Sequence, residues 1–439
     1  MTAPLSRRRF LKGGAAAAAV GVLGSRLSRP ARAAVPSASG VDHIVVVTME
    51  NRSFDHFLGW LPNADGLQSS KPRFPTSSGK LIGNYHLHET MGCGHPDPDH
   101  SYEGGRYQFN GGHLDNFARG KNDAFAVGYY LAEDRPFMSQ LALNYTTCDR
   151  YFCGIMAETY PNRFYTHSAM TDRLHNSTTT STMPTIWDQL NKPGGPTGRY
   201  YFSDLPFLAL WGTKYVPISE HYGQFLADAS AGNLPNVSYV DPRFEDEGSG
   251  SSGDDHPHAD IRAGDSFLAE AFHAVASGPA WDRTVFIVTY DEWGGFYDHV
   301  APPRVTATSA VDKDLVGGKA LLGYRVPCIV ASPFSRGDPR HPRVVHSLYD
   351  HTSILKFIES NFRLRPLTAR DASRSPSDPG DLGTVLRRGG GDTAVPSSIP
   401  TLLPPPVVVP CGAANPSPVE SEGTWQALRS SDLLDGWRI

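Results

Sequence analysis

Val41-Asp-His-Ile-Val-Val-Val-Thr-Met-Glu50-Asn51-Arg-Ser-Phe-Asp-His-Phe-Leu-Gly-Trp60 is the stretch whose reading decides the fold. Ile44 to Val47 is a run of β-branched residues with no polar break. Such a run suits a strand buried on both faces, as in a parallel sheet; a buried helix fits the apolar run alone as well. The run leads into Glu50-Asn51, so a carboxylate and an amide sit where the strand would leave the sheet. In open α/β folds, ligands bind at the carboxyl ends of strands.

The arrangement recurs far along the chain. Thr284-Val-Phe-Ile-Val-Thr-Tyr290 is a second apolar run, followed by Asp291-Glu292-Trp293-Gly294-Gly295. Two strands delivering oxygen ligands in the same way point to a hard divalent cation. A plainer reading is available, since acidic residues also cap helices and open turns.

Longer motifs surround both pairs. Glu50-Asn51-Arg52-Ser53-Phe54-Asp55-His56 resembles the opening signature of the bacterial and plant phosphoesterase family, which holds non-specific phospholipases C and an acid phosphatase branch. Thr289-Tyr-Asp-Glu-Trp-Gly-Gly-Phe-Tyr-Asp-His299 is similar to its later signature. The resemblance runs from about residue 41 to about residue 365. It implies an alkaline-phosphatase-like α/β core: a largely parallel sheet flanked by helices, with a loop-rich cap over the strand C-terminal ends.

Further segments carry the resemblance into the site. In this family a Thr or Ser just before x-Pro-Asn-Arg takes the phosphoryl group, which here implies Thr159 in Glu158-Thr159-Tyr160-Pro161-Asn162-Arg163. A threonine looks more like the phospholipase C branch than the serine-bearing acid phosphatases. A hydroxyl is a poor nucleophile near neutral pH, and metal coordination activates it. The implied metal set is Glu50, Asn51, Thr159, Asp291 and Glu292, around one divalent ion whose identity is left open among Ca, Mg, Mn, Fe and Zn. Asn162 and Arg163 are expected to position the phosphate, with a supporting salt bridge as the other role for Arg163.

Histidines complete the expected site. His95-Pro-Asp-Pro-Asp-His100, followed by Gly111-Gly-His-Leu-Asp-Asn-Phe117, resembles the family segment that holds an active-site histidine. His100 is the better match and His95 the second. His256 in Asp254-Asp255-His256-Pro257-His258-Ala259-Asp260-Ile261 matches a further family segment and is expected to contact phosphate or protonate the leaving group. Asp298 and His299 either orient the metal ligands or hold the turn. Asp241 is read as structural, and Asp350 as the start of the amphipathic helix carrying Ile354, Leu355, Phe357, Ile358 and Phe362.

The first residues are an address. Ser6-Arg7-Arg8-Arg9-Phe10-Leu11-Lys12 is a twin-arginine pattern, followed by an apolar Ala/Gly/Val segment and Ala31-Arg32-Ala33, an A-x-A-like cleavage site. Residues 1–33 are thus expected to be a signal peptide. Its partner would be the twin-arginine export machinery of a bacterium, and its destination the periplasm, cell wall or medium. An uncleaved tether is the alternative.

Residues 34–365 are expected to form the catalytic domain. The Pro/Gly-rich residues 366–439 are expected to form an extension with little to build a core. Without the signal the chain holds 33 basic against 45 acidic residues, a net charge of −12 with His neutral. That balance argues against nucleic-acid binding and against a polybasic grip on anionic lipid. Five cysteines without a C-x-x-C pair argue against a zinc ribbon and leave the disulfide pattern open.

The expected partner is a phospholipid or small phosphoester, with transient contact to a lipid surface. The expected activity is a phospholipase C-type hydrolysis of phosphodiesters through a phospho-threonine. The alternatives are an acid phosphatase acting on monoesters and a non-catalytic binding protein.

Overall fold

Two of the most apolar runs in the chain form the two central strands of one sheet. In the computed structural model, β1 (His43–Met49) and β6 (Thr284–Tyr290) pair in parallel from His43↔Thr284 to Met49↔Tyr290. Every residue of both strands is buried, as continuous β-branched runs require when helices cover both faces of a sheet. The described residues are 34–37, 39–67, 71–387, 389, 391–401, 403–411 and 422–439. The signal peptide and its expected cleavage site lie outside them.

The other strands of the sheet are β2 (Thr146–Cys148), β3 (Gly198–Phe202), β4 (Ser219–His221), β5 (Val237–Val240), β7 (Cys328–Ala331) and β8 (Arg343–Val345). Among the described residues the order is β8-β2-β7-β6-β1-β5-β3-β4. β7 runs antiparallel to both of its neighbours, and all other pairings are parallel. The fold is therefore α/β with a mostly parallel sheet.

Helices flank the sheet: α1 (Phe54–Leu58), α2 (Tyr102–Phe109), α3 (Pro136–Asn144), α4 (Thr159–Ser168), α5 (Tyr222–Ala231), α6 (Ile261–Ala276) and α7 (His351–Phe362). α7 shows how local sequence sets an element. Asp350 caps its first turn by accepting from the Thr352 amide, and Ser353 completes the box by accepting from the Asp350 amide. Ile354, Leu355, Phe357 and Ile358 are buried on one side, while Phe362 is only partly covered. No helix among the described residues is long and apolar enough to cross a membrane.

The segment after residue 365 corrects the expectation drawn from its composition. Leu382, Val385, Ile399, Trp425, Leu428, Leu434 and Trp437 all join the main core. The buried Arg370 guanidinium reaches the Asp350 carboxylate, 3.1 Å away. Cys411 forms a disulfide with Cys93, while Cys148, Cys153 and Cys328 are buried free thiols. A few well-placed apolar residues and one covalent link hold a Pro/Gly-rich segment against a core built by the rest of the chain.

Candidate active site

The parallel register of β1 and β6 puts the residues that follow them side by side. The Asp291 amide donates to the Met49 carbonyl, and the Asn51 amide donates to Asp291 Oδ1 at 3.0 Å. Asn51 takes a left-handed conformation (φ 59°), which asparagine tolerates better than most residues. Gly294 (φ 62°) faces its carbonyl, and a Cβ there would collide with that oxygen. This explains a glycine two residues after Glu292: the two strand ends approach too closely for a side chain.

Thr159 opens α4, with its hydroxyl turned to the same point. Its Oγ1 donates to Glu50 Oε2 at 3.2 Å and lies 3.4 Å from Asn51 Oδ1. Glu50, Asn51, Asp291 and Glu292 have no exposed surface, and Thr159 is 2% exposed. Burial, with the repulsion of Asp291, holds the Glu50 carboxyl well above its ordinary range. Asp291 is raised by burial despite the nearby Arg163 charge. Glu292 is raised by burial and by Asp291, against the pull of His100. Glu292 Oε1 is buried without a hydrogen-bond partner. Three buried carboxylates and an amide crowded together, with Asp291 Oδ2 and Glu292 Oε1 both lacking a hydrogen-bond partner, are a donor set that fits a hard divalent cation.

Arg163 balances part of this charge. It bonds Glu50 Oε1 (2.9 Å from Nε), Asp241 Oδ1 (3.0 Å from Nη1) and the Thr48 carbonyl, and lies 3.3 Å from Asp291 Oδ2. Of the two roles open to it, these contacts fit the supporting salt bridge. Asp241 also accepts from the Tyr200 hydroxyl, and these contacts fit a structural role. The Asn162 side chain accepts from the Ile155 amide and donates to the Ala157 and Glu158 carbonyls. It shapes the loop that delivers Thr159, and its polar atoms are occupied by that loop.

The histidines divide. His100 Nε2 stands 3.4 Å from the Asn51 side-chain nitrogen Nδ2, and its Nδ1 is 2.8 Å from the Pro98 carbonyl. Burial would lower its pKa, but the Glu292 and Asp97 carboxylates outweigh that and raise it to about 9. His256 joins through Asp97: its Nε2 is 3.4 Å from Asp97 Oδ2, while His100 Nδ1 is 3.9 Å from Asp97 Oδ1. His95 instead pairs with Asp123 at 2.7 Å and stacks on Phe125, with 30% of its side chain exposed. No contact brings His95 to Thr159.

Asp97 is the residue that motif matching missed, although it lies inside the His-Pro-Asp-Pro-Asp-His run. It is fully buried between the two histidines, and their charges hold its carboxyl far below the usual range in spite of burial. Glu247 was also missed. Its Oε2 lies 3.8 Å from His256 Nε2, and it ends the short acidic run Glu245-Asp246-Glu247, which matches no motif. Arg52 and Arg135 fix the His256 loop. Arg52 donates to the carbonyls of Asp255 (2.6 Å) and His256 (3.0 Å), and Arg135 pairs with the Asp255 carboxylate at 2.7 Å.

Asp298 and His299 lie in a separate cluster. With Asp55 they bring ligand atoms within 4.8 Å of one another, a spacing a metal could use. Arg325 already supplies a cation there, 2.8 Å from Asp298 and 3.1 Å from Asp55. Burial raises Asp298 to about 6 despite Arg325. Burial would lower His299, but its hydrogen bond to Asp55 carries it to about 9. These contacts fit the turn-holding role.

Comparison with known proteins adds the lineage. A family model described as "Phosphoesterase family" matches residues 41–365, and a model of the twin-arginine translocation pathway signal sequence matches residues 4–24. The chain is 34% identical to non-specific phospholipase C1 of Arabidopsis thaliana over 75% of this chain and 68% of the relative. It is 29% identical to phospholipase C B of Mycobacterium tuberculosis over 82% of this chain and 81% of the relative. Among solved structures, a phosphonate monoester hydrolase of Agrobacterium radiobacter aligns at 12% identity with a TM-score of 0.37, over 80% of this chain and 78% of that one. The matched segment holds both strand-end pairs, the Thr159 loop and the histidines, and it follows an export signal: the chain belongs to the Phosphoesterase family, as an exported hydrolase of phosphoester bonds.

Proposed function

We propose that the chain hydrolyses phosphodiesters of the phospholipid type, with Thr159 as the nucleophile. The observation that carries this reading is the position of Thr159 Oγ1, 3.2 Å from Glu50 and 3.4 Å from Asn51, at the first residue of a ten-residue helix. The phospholipase C relatives support the diester substrate.

Glu50, Asn51, Asp291 and Glu292, with the Thr159 hydroxyl, would hold one divalent cation. When bound, it would lower the hydroxyl pKa and neutralise charge on a phosphate oxygen. The chain's own groups do the rest. The N-terminus of α4 favours negative charge beside Thr159. Arg163 fixes the Glu50 and Asp291 carboxylates in position. His100, held cationic by Glu292 and Asp97, stands beside the Asn51 side chain and is suited to bind a phosphate oxygen. His256, braced by Asp97 and the Arg52 clamp, is placed to give a proton to the leaving alcohol and take one from water. Attack by Thr159, whose proton passes to Glu50 Oε2, breaks the bond from phosphorus to the glycerol oxygen, releases diacylglycerol and leaves the head-group phosphate esterified on the threonine; water then frees it, and the threonine takes its proton back.

The test compares nitrophenyl phosphorylcholine, a diester, with nitrophenyl phosphate, a monoester, on purified protein with and without chelator. Diester preference lost on chelation and restored by a divalent cation is the expected result. Monoester preference with an acidic optimum would make it a phosphatase.

A further inference from the structure

A β-hairpin beside the site turns its tip to solvent, while its second strand pairs with Arg304–Thr306 and is held in the body. Leu315–Val316 and Lys319–Leu321 pair antiparallel, joined by Gly317-Gly318. Both glycines have positive φ (58° and 75°), the geometry of a tight two-residue turn whose twist matches the strands. A Cβ on either would meet nothing within 4 Å, so the turn itself faces open space, while Lys319 just after it reaches Ser377 and Asp378. At this tip Leu315 is 46% and Val316 59% exposed, and Lys313 just before them is exposed. Side chains alternate along a strand, so the two apolar groups cover both faces of the tip. A tip of this kind usually carries polar residues; here two apolar residues stand at the turn, flanked by Lys313, Asp314 and Lys319.

The base of the hairpin is tied to the site. Asp314 pairs with Arg106 at 3.3 Å, and Arg106 donates to the Met156 carbonyl, three residues before Thr159. Asp312 accepts from the Tyr102 hydroxyl at 3.2 Å, two residues after His100. On the same side, His175 is half-exposed and pairs with Glu158, the residue before Thr159.

We infer that the Leu315-Val316 hairpin tip is a docking surface for a zwitterionic phospholipid bilayer, inserted at the head-group level beside the route to Thr159. This rests on the phospholipase reading above. The charge of −12 without the signal argues against broad attraction to anionic lipid and favours apolar insertion as the source of affinity. The exposed Lys313 suits the phosphate of a phosphocholine head group. A single two-residue wedge gives weak, reversible binding, as a surface enzyme that must move between lipids needs.

Sedimentation with phosphatidylcholine vesicles tests this without requiring turnover. Leu315→Asp combined with Val316→Asp is expected to lower the bound fraction about tenfold. It is expected to slow cleavage of vesicle lipid while nitrophenyl phosphorylcholine turnover in free solution stays within about twofold of wild type. Leu315→Trp is expected to raise vesicle binding, since indole favours the interface. Unchanged vesicle binding in both variants overturns the docking surface, even if the protein cleaves dispersed lipid. Hairpin-dependent vesicle binding by a protein that cleaves no lipid keeps the surface and sinks the phospholipase reading instead.

Discussion

Thr159 Oγ1 donates to Glu50 Oε2 at 3.2 Å across 109 residues of sequence. The bond joins the start of α4 to the end of β1, and it points the hydroxyl at the buried carboxylates rather than at solvent. Thr159→Ala is expected to lower kcat by at least about 1,000-fold with the fold intact. Thr159→Ser keeps the hydroxyl and should retain activity within about tenfold. Circular dichroism alongside turnover checks both; comparable activity in the alanine variant would remove Thr159 from the chemistry.

Crowding of Glu50, Asp291 and Glu292 predicts a protein that a cation stabilises. Titrating metal-free protein with calcium, magnesium, manganese or zinc should raise the melting temperature for at least one of them. At a hundredfold excess over Kd the gain is about 2.7 kcal/mol. Glu292→Gln removes a full charge at the atom that lacks a partner. It should weaken the metal-induced shift and raise the stability of the metal-free protein.

His100 predicts a pH effect with a definite sign. Its charged form is favoured by Glu292 and Asp97, and its pKa lies near 9. A cationic role in binding phosphate is lost as pH rises through that value. Asp97→Asn removes one supporting charge, so the alkaline limb of kcat/KM should move to lower pH by about one unit. A limb that stays in place would assign it to another group.

The Asp55, Asp298 and His299 cluster predicts a pH effect on stability alone. The His299 pKa of about 9 stands above the ordinary 6.5. Its contribution is therefore fully present below about pH 6.5 and fades as pH rises through 9. His299→Gln should cost about 1–2 kcal/mol at pH 6 after allowance for solvent screening, and much less above pH 9. Urea melts at the two pH values check it.

Particular residues show how far the sequence could be read. Ile44–Val47 and Thr284–Tyr290 suited buried parallel strands, with a helix open on the apolar run alone, and the Glu50-Asn51 and Asp291-Glu292 pairs after them pointed to a candidate site. Neither run could say that the strands are neighbours; the register Met49↔Tyr290 is a property of the sheet. The motif ranked His100 above His95 but gave both a place in the site. Only the fold separates the one paired with Asp123 from the one facing Asn51. Arg163 was open between two roles until Glu50, Asp241 and Asp291 were seen around it. Trp425 was illegible because its partners, Phe244 at 3.9 Å and Tyr160 at 5.3 Å between ring centroids, lie far away in sequence. Composition describes a segment's own residues, not the core it joins.

The most direct test of the central claim is mass spectrometry of protein quenched in acid during turnover of nitrophenyl phosphorylcholine. The account predicts a phosphocholine ester on the peptide holding Thr159, absent from Thr159→Ala protein. Active protein that never carries the ester, or carries it on another residue, would contradict it.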